Sequence, residues 1–414
     1  MNSTAPAPGF RQIAQADVDF LGRDPVPALP YYDPQWYDLE RKAVFMRSWL
    51  EVGHVCELPQ PGSFIRRELE FAGVSLLIVR GRDGAVRAFH NVCTHRGTQL
   101  TQEAQGRTAN FSCPYHRWTF GLDGALLSAP DFESFGLAKA DCALPQVALE
   151  ICAGLIFVNL APHPQPLRDW LEGLAEDLET LPVARATTFS EYTYEIDANW
   201  KLTYDNFQEN YHLRFIHPRT GQATFSADNP FGYPLRYRFF GRHRTQTIWS
   251  NPQPKITPLQ RVGMSRAMAA AAERGTVGGV NAREYFALFP NFFILGTPAP
   301  HFSHVVYPLG PTRSRGVIRL YWVGDDANAS ERFAREYVMA TARDVHAEDR
   351  AVIEAGQRGL SSGALRHIHF QTQEALCRHL FHSVRETVEA YCRETQHDTG
   401  PDGASGNRQG GDGA

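Results

Sequence analysis

The chain has very little lysine: only Lys42, Lys139, Lys201 and Lys255 among 41 basic residues, a compositional bias without functional content. It also lacks a surplus of either charge. Its 41 Lys+Arg against 45 Asp+Glu leave a formal charge of −4, which offers no positive field to a nucleic acid or an anionic membrane. Long apolar runs are missing. The longest, over 74–79 and 154–160, have the length of strands, far below the roughly 20 residues of a membrane span. The first twenty residues contain neither a basic n-region nor an apolar h-region, so no secretory signal is expected. Seven cysteines, an odd number scattered from Cys56 to Cys392 in 414 residues, make no disulfide framework, and a reducing cytoplasm is the expected compartment. No internal repeat is visible, which excludes a solenoid. No Gly-x-Gly-x-x-Gly with its acidic partner is found either, so flavin or nicotinamide chemistry must be supplied by another chain.

What is present suits a folded chain of two or three domains, with 43% hydrophobic and 21% charged residues. Residues 1–30 read as a flexible N-terminal segment. The string YDLERKAVFMRSWL (37–50) reads as an amphipathic helix with Glu40, Arg41 and Lys42 on its polar side. Residues 51–160 carry short β-rich runs punctuated by Pro-Gly, Arg-Asp-Gly and Leu-Asp-Gly turns, the pattern of an all-β domain. After the Pro-rich 161–166 the pattern becomes helical at 167–181 and 200–216. Mixed strands follow to 323, then helices near 329–357 and 371–395, so 161–396 is expected to be an α+β domain. The Gly/Asp-rich 397–414 cannot offset its own ordering entropy and reads as a disordered tail.

Two groups of residues carry chemistry. The first is Cys93-Thr-His95-Arg-Gly97 followed, after an intervening stretch, by Cys113-Pro-Tyr-His116-Arg-Trp118. One thiolate and one imidazole from each of two tight loops can hold a tetrahedral zinc, or a [2Fe–2S] cluster with cysteines on one iron and histidines on the other. The mixed pairs favour the cluster, because zinc fingers usually pair Cys with Cys and His with His. The second group lies in NWKLTYDNFQENYHLRFIHP (199–218). At about 100° per residue, Asp205, Glu209 and His212 share one face of a helix. His217 sits five positions beyond His212, so both imidazoles reach one metal only if the helix widens, as in a π-bulge, or breaks; Pro218 limits its continuation.

Together these motifs resemble those of the Rieske non-haem iron oxygenase α subunits, the aromatic-ring-hydroxylating dioxygenase family, over residues 30 to 390. The resemblance implies an N-terminal all-β Rieske domain and a C-terminal α+β catalytic domain with an antiparallel sheet and helices, of helix-grip type. The N-terminal helix over 31–50 then belongs to the catalytic domain. It further implies Cys93 and Cys113 on one iron of the cluster, His95 and His116 on the other, and a mononuclear Fe(II) bound by His212, His217 and Asp349. Asp344 and Glu348 compete with Asp349 for the third place. By the same resemblance Glu209 bridges the two centres, holding His212 and meeting His116 of the partner subunit, which implies a head-to-tail homotrimer. Many relatives carry aspartate there; glutamate recurs in subgroups including oxygenases of quaternary ammonium compounds. Asp205 is expected near the iron in a catalytic role.

The function implied is that of a terminal oxygenase. A partner reductase or ferredoxin passes electrons from NAD(P)H through the cluster, and O2 is activated at iron to hydroxylate or dihydroxylate an organic substrate. The aromatics of the catalytic half, such as Phe207, Phe286 and Phe293, suit an aromatic ring or a methylated ammonium alike. The resemblance implies an aromatic or apolar skeleton first, as the family's broadest substrate class, and N-demethylation of a quaternary ammonium compound second, on the strength of Glu209. An electron-transfer protein with a degenerate second domain is the rival reading, and zinc at both sites a third. Metal and acid-labile sulfide analysis of anaerobically purified protein separates them. The oxygenase requires one iron per chain beyond the two irons and two sulfides of the cluster. The cluster alone supports electron transfer, and zinc without sulfide defeats both.

Overall fold

A computed structural model describes residues 15–275, 284–296 and 300–398. Of the segment 1–30 expected to be flexible, the first fourteen residues lie outside the described residues, while the rest is held in place: Val18, Leu21 and Val26 are buried and Val26–Pro27 pairs with His367–Ile368. Of the tail expected over 397–414, all beyond Asp398 lies outside the described residues. Two antiparallel seven-stranded sheets dominate. The first runs Leu50–His54, Leu155–Asn159, Gln146–Cys152, Val86–His90, Val74–Arg80, Ser63–Leu69, Gln105–Arg107. A three-stranded sheet of Phe111–Ser112, Thr119–Phe120 and Leu126–Ser128 sits beside it. The second large sheet runs Thr188–Ile196, Arg313–Trp322, His301–Gly310, Phe292–Leu295, Glu284–Leu288, His243–Thr247, Arg236–Phe240. Eight α-helices accompany the sheets among the described residues: α1 Pro34–Glu40, α2 Leu167–Trp170, α3 Leu174–Glu179, α4 Trp200–Asp205, α5 Leu213–Ile216, α6 Pro258–Glu273, α7 Ala329–Ser361 and α8 Ala375–Asp398. This is the all-β plus α+β architecture read from the sequence. One hydrophobic core joins both sheets, with Leu50, Ile78 and Ile156 from the first continuous with Tyr204, Phe286 and Phe292 from the second half.

Four local readings need correction. The helix expected at 37–50 starts earlier, because Asp33 caps it by accepting from Trp36 N at 2.7 Å and Pro34 occupies its first turn. It passes into a π-helical turn over Arg41–Phe45 and ends there, since Leu50 is claimed by a strand. The edge strand Thr188–Ile196 was not legible as one; it pairs along its whole length with Arg313–Trp322. The helix expected over 200–216 is broken: α4 stops at Asp205, and only Leu213–Ile216 is helical again. Finally, α6 lies where strands were expected. Its start is written in Thr257-Pro258-Leu-Gln260, a capping box with proline in the first turn. Its apolar periodicity is hidden because the buried face consists of Gly263, Ala267 and Ala271. A Cβ on Gly263 would meet the Tyr337 ring of α7 at 2.3 Å, so the two helices touch almost backbone to side chain.

Glu40, read as part of a solvated charge cluster, is fully buried. Its carboxylate accepts Lys201 Nζ at 2.6 and 2.8 Å, and the indole N–H groups of Trp36 and Trp200 at 2.7 and 2.8 Å. Burial lowers the Lys201 pKa, and the Glu40 charge opposes this. The network ties α1 to α4, the helix that leads into the second group of chemical residues. Removing one member leaves an uncompensated buried charge. Lys201→Met is therefore expected to lose about 3–5 kcal/mol in urea unfolding, whereas adding Glu40→Leu should recover a large part of the loss.

Candidate metal centres

The two cysteine–histidine loops are built alike. Cys93 N donates to Thr98 O and Gly97 N to Cys93 O; Cys113 N donates to Trp118 O and Arg117 N to Cys113 O. Each loop thus turns through a left-handed residue four positions after its cysteine, Gly97 at φ +78° and Arg117 at φ +60°. Glycine takes this conformation without strain, and arginine takes it at a cost. The equivalence of the loops brings both cysteines inside and sets the imidazoles of His95 and His116 4.6 Å apart, edge to face. Trp118 stacks on His95 at 5.0 Å and Tyr115 lies on His116 at 3.7 Å. Burial pushes the Cys93 thiol up, against hydrogen bonding from the His95 backbone, and the neighbouring Cys113 thiol adds to the rise.

Nδ1 of His95 and Nδ1 of His116 are both buried without a hydrogen-bond partner. A buried imidazole nitrogen without a partner is costly unless something coordinates it. Yet no three of these four residues bring their ligand atoms within 4.8 Å of one another; among the described residues only His212, His217 and Asp349 do so. One zinc ion would need such convergence. Donors split between two thiols and two imidazoles match a cluster held on separate irons.

The second centre forms where the helix breaks. After Asp205 the chain turns, so that His212 caps the start of α5 and His217 closes its end at φ −114°, ψ 51°. The five-residue spacing is thus accommodated by interruption, and the π-turn of this chain lies elsewhere, at Arg41–Phe45. The rings of His212 and His217 stand 5.3 Å apart. Asp349, from the middle of α7, puts Oδ1 2.8 Å from His217 Nε2 and 3.5 Å from His212 Nε2. Behind the rings, His212 Nδ1 bonds Glu209 Oε1, and His217 Nδ1 bonds Glu348 Oε2 at 2.7 Å. Thr220 Oγ1 donates to the same Glu348 oxygen at 2.9 Å. A carboxylate at each Nδ1 turns both Nε2 atoms toward Asp349, the arrangement that orients metal-ligating histidines.

Three carboxylates around two imidazoles also call for positive charge. Burial lowers the His217 pKa, but Asp349 and Glu348 outweigh it and raise the balance above the ordinary value. A divalent cation satisfies the same demand, and the donor set of two histidines and one carboxylate suits mononuclear non-haem iron with open positions.

The structure therefore brings together His212, His217 and Asp349, with Glu209 behind. It separates their competitors: Asp344 is exposed, and Glu348 serves as the outer partner of His217. Asp205 does not join the group. Because α4 ends at Asp205, its carboxylate faces Tyr31 OH and Gln208 Nε2, each at 3.0 Å, and burial pushes it up to about 7 despite the Tyr31 bond. Glu209 Oε2 caps the turn, accepting from the backbone N–H of Tyr211 and from that of His212 at 3.2 Å. Sequence reasoning missed Tyr194 and His346, which lie near enough to Asp349 to feel its charge, and His304, which bonds Tyr194. Only His346 left a signal, three residues before Asp349 on one helix.

Asp349→Asn is expected to abolish binding of the mononuclear iron while Asp344→Asn retains it. Glu348→Gln should weaken ferrous iron about 10–100-fold in chelator competition.

Comparison with known proteins converges on the same two centres. The family described as Rieske [2Fe-2S] domain matches residues 48–147, and that described as ring hydroxylating alpha subunit (catalytic domain) matches 183–390. The glycine betaine monooxygenase oxygenase subunit of Chromohalobacter salexigens is 31% identical over 361 residues, covering 81% of this chain and 79% of that protein. The carnitine monooxygenase oxygenase subunit of Acinetobacter baumannii is 36% identical over 351 residues, covering 82% and 86%. A solved quaternary ammonium Rieske monooxygenase in complex with L-carnitine has the same fold, at TM-score 0.71 and 24% identity over 91% of this chain and 99% of that one. With both domains matched in their own right and relatives spanning most of its length, this chain belongs to the Rieske non-haem iron oxygenases, as an α subunit that uses a [2Fe–2S] cluster and mononuclear iron and receives its electrons from a partner.

Proposed function

We propose that this oxygenase acts on a methylated quaternary ammonium compound, placing one oxygen atom on a carbon beside the charged nitrogen. The observation that carries the reading is a run of packed rings that reaches Asp349 of the triad through Tyr194. Phe207 lies 5.8 Å from Phe293, which stacks on Phe302 at 5.7 Å, and Tyr194 lies 5.8 Å from Tyr192. Tyr194 is close enough to Asp349 for that charge, after burial, to raise its pKa. Desolvated aromatic faces attract a quaternary cation by about 0.5–2 kcal/mol each. They would also accept a hydrocarbon, the substrate class that the family resemblance placed first. The names of the relatives at 31% and 36% identity support the reverse order.

Bound iron supplies the activation of dioxygen at its open coordination positions. The chain's part is to hold the imidazoles by Glu209 and Glu348, to keep Asp349 buried at the triad, and to present the rings. The net change consumes substrate C–H, O2, two electrons and two protons, and yields C–OH and water. A hydroxylated carbon next to a quaternary nitrogen then loses its C–N bond. The electron pair goes to nitrogen and the hydroxyl proton departs, leaving a tertiary amine and a carbonyl compound.

We infer that Glu209 conducts between centres of neighbouring copies, with the spare lone pairs of its carboxylate meeting His116 of the partner subunit in a closed trimer. Glu209→Ala is expected to keep both metals yet slow cluster reoxidation by substrate and O2 by orders of magnitude. Single-turnover rates equal to wild type would sink that role. For the substrate class, O2 uptake with a surrogate reductase should rise with glycine betaine or carnitine and release a carbonyl product; stimulation by aromatic compounds alone would overturn the reading.

A further inference from the structure

Two buried histidines that pack on Tyr194, the neighbour of Asp349, have no place in metal binding. His304, on the strand His301–Gly310, is fully buried, and His346, one turn before Asp349 on α7, is 1% exposed. Each is tied through one nitrogen to a tyrosine hydroxyl: Tyr194 OH to His304 Nε2 at 2.7 Å, and Tyr192 OH to His346 Nδ1 at 3.3 Å. The other nitrogens, His304 Nδ1 and His346 Nε2, are buried without any partner.

The tyrosines decide the protonation pattern. A phenol has one proton to give, and no other acceptor for the Tyr194 hydroxyl is recorded among the described residues. Donating it to Nε2 makes that nitrogen the acceptor, so a neutral His304 carries its own proton on Nδ1. Burial keeps His304 neutral, and a second proton on it would also have to face the neighbouring His346. Donation from the half-buried Tyr192 hydroxyl to Nδ1 leaves the proton of His346 on Nε2. The outcome is two buried N–H donors without acceptors, each carrying an unmet desolvation cost.

Their surroundings are the rings described above. Phe207 lies 4.4 Å from the His304 ring, Phe293 5.5 Å, and Tyr194 is sandwiched against His346 at 3.6 Å. A ligand that stacks a cationic head on these faces can also bring an oxygen to the waiting donors. Resting on the substrate reading above, we propose that His304, with its proton placed by Tyr194, determines specificity by donating from Nδ1 to an acceptor oxygen of the ammonium substrate, with His346 as a second donor. Compounds with a carboxylate or carbonyl beside the methylated nitrogen are then selected over simple tetraalkylammonium ions. His304 is here a substrate-binding residue and Tyr194 a positioning residue.

The test is calorimetric binding to the iron-loaded holoenzyme of two probes, glycine betaine and tetramethylammonium, which differ in the oxygen-bearing group. His304→Leu should weaken glycine betaine about tenfold or more, the ratio for one lost hydrogen bond, and leave tetramethylammonium within twofold. His304→Gln, which restores a donor, should recover part of the loss. Tyr194→Phe should also reduce glycine betaine preferentially, because either tautomer of His304 becomes accessible. Equal weakening of both probes would mark a packing role and overturn the proposal, as would no change in either, the result expected if ordered water satisfies Nδ1. Should His304→Leu fail to fold, Tyr194→Phe carries the test, with a preferential loss of glycine betaine expected and an equal or absent effect on the two probes overturning the proposal. If the wild-type holoenzyme binds neither ammonium, the substrate reading itself falls and this proposal with it; binding of both probes without any change of ratio overturns this proposal alone.

Discussion

A lysine and a glutamate enclosed on all sides have to face each other, and the position of the catalytic segment follows from that requirement. Glu40 meets Lys201 and two indole N–H groups, so every acceptor position it offers is used and neither charge is left bare. The pair clamps α1 against the first turn of α4. Phe45, at the end of the π-turn, reinforces the joint by packing edge-on against Trp200 at 5.0 Å. From this fixed origin the chain has five residues of helix before it breaks, and the break delivers His212 and His217 opposite α7. A few residues after Phe45, the chain enters the sheet of the cluster domain at Leu50. One buried ion pair thus references both halves of the molecule to a common point.

The proposed iron centre is built on charge balance as much as on shape. Two imidazoles alone would bind a metal in several orientations; a carboxylate behind each removes that freedom before any cation arrives. The cluster loops solve the corresponding problem with backbone, using two matching turns to present inward Nδ1 atoms and leaving the remaining edges of the rings available to a neighbour. In one centre side chains hold side chains, and in the other the turns hold them.

Legibility in the sequence followed distance along the chain. Cys93, His95, Cys113 and His116 were legible because each pair lies within one loop, and His212 with His217 because five positions separate them. Asp349 lies 132 positions from His217 and was placed by resemblance. Glu40 was misread because its immediate neighbours, Arg41 and Lys42, suggest a solvated turn, while the partner that buries it is 161 positions away. Asp205 was placed with Glu209 and His212 by assuming an unbroken helix; after the break it still lines one cavity with Glu209 but stays out of the His212–His217–Asp349 group. Tyr194, His304 and His346 stand on three separate elements, so no local spacing joins them.

Glu348 and Asp349 are neighbours on one helix, about 100° apart around its axis, yet one stands behind His217 and the other in front. Their division of labour depends on the rotational phase of α7, not on which residue is the more acidic. A residue inserted or deleted between the α6 contact, where Tyr337 meets Gly263, and position 348 would turn the two carboxylates by that angle and exchange or dislodge their roles. Length variation among descendants of this chain is thereby pushed out of the helix and into its connecting loops, while substitutions on the outer face of α7 remain free. The helix works as a phase-keeping rod, and its length in residues is as much a part of the iron site as the carboxylate it carries.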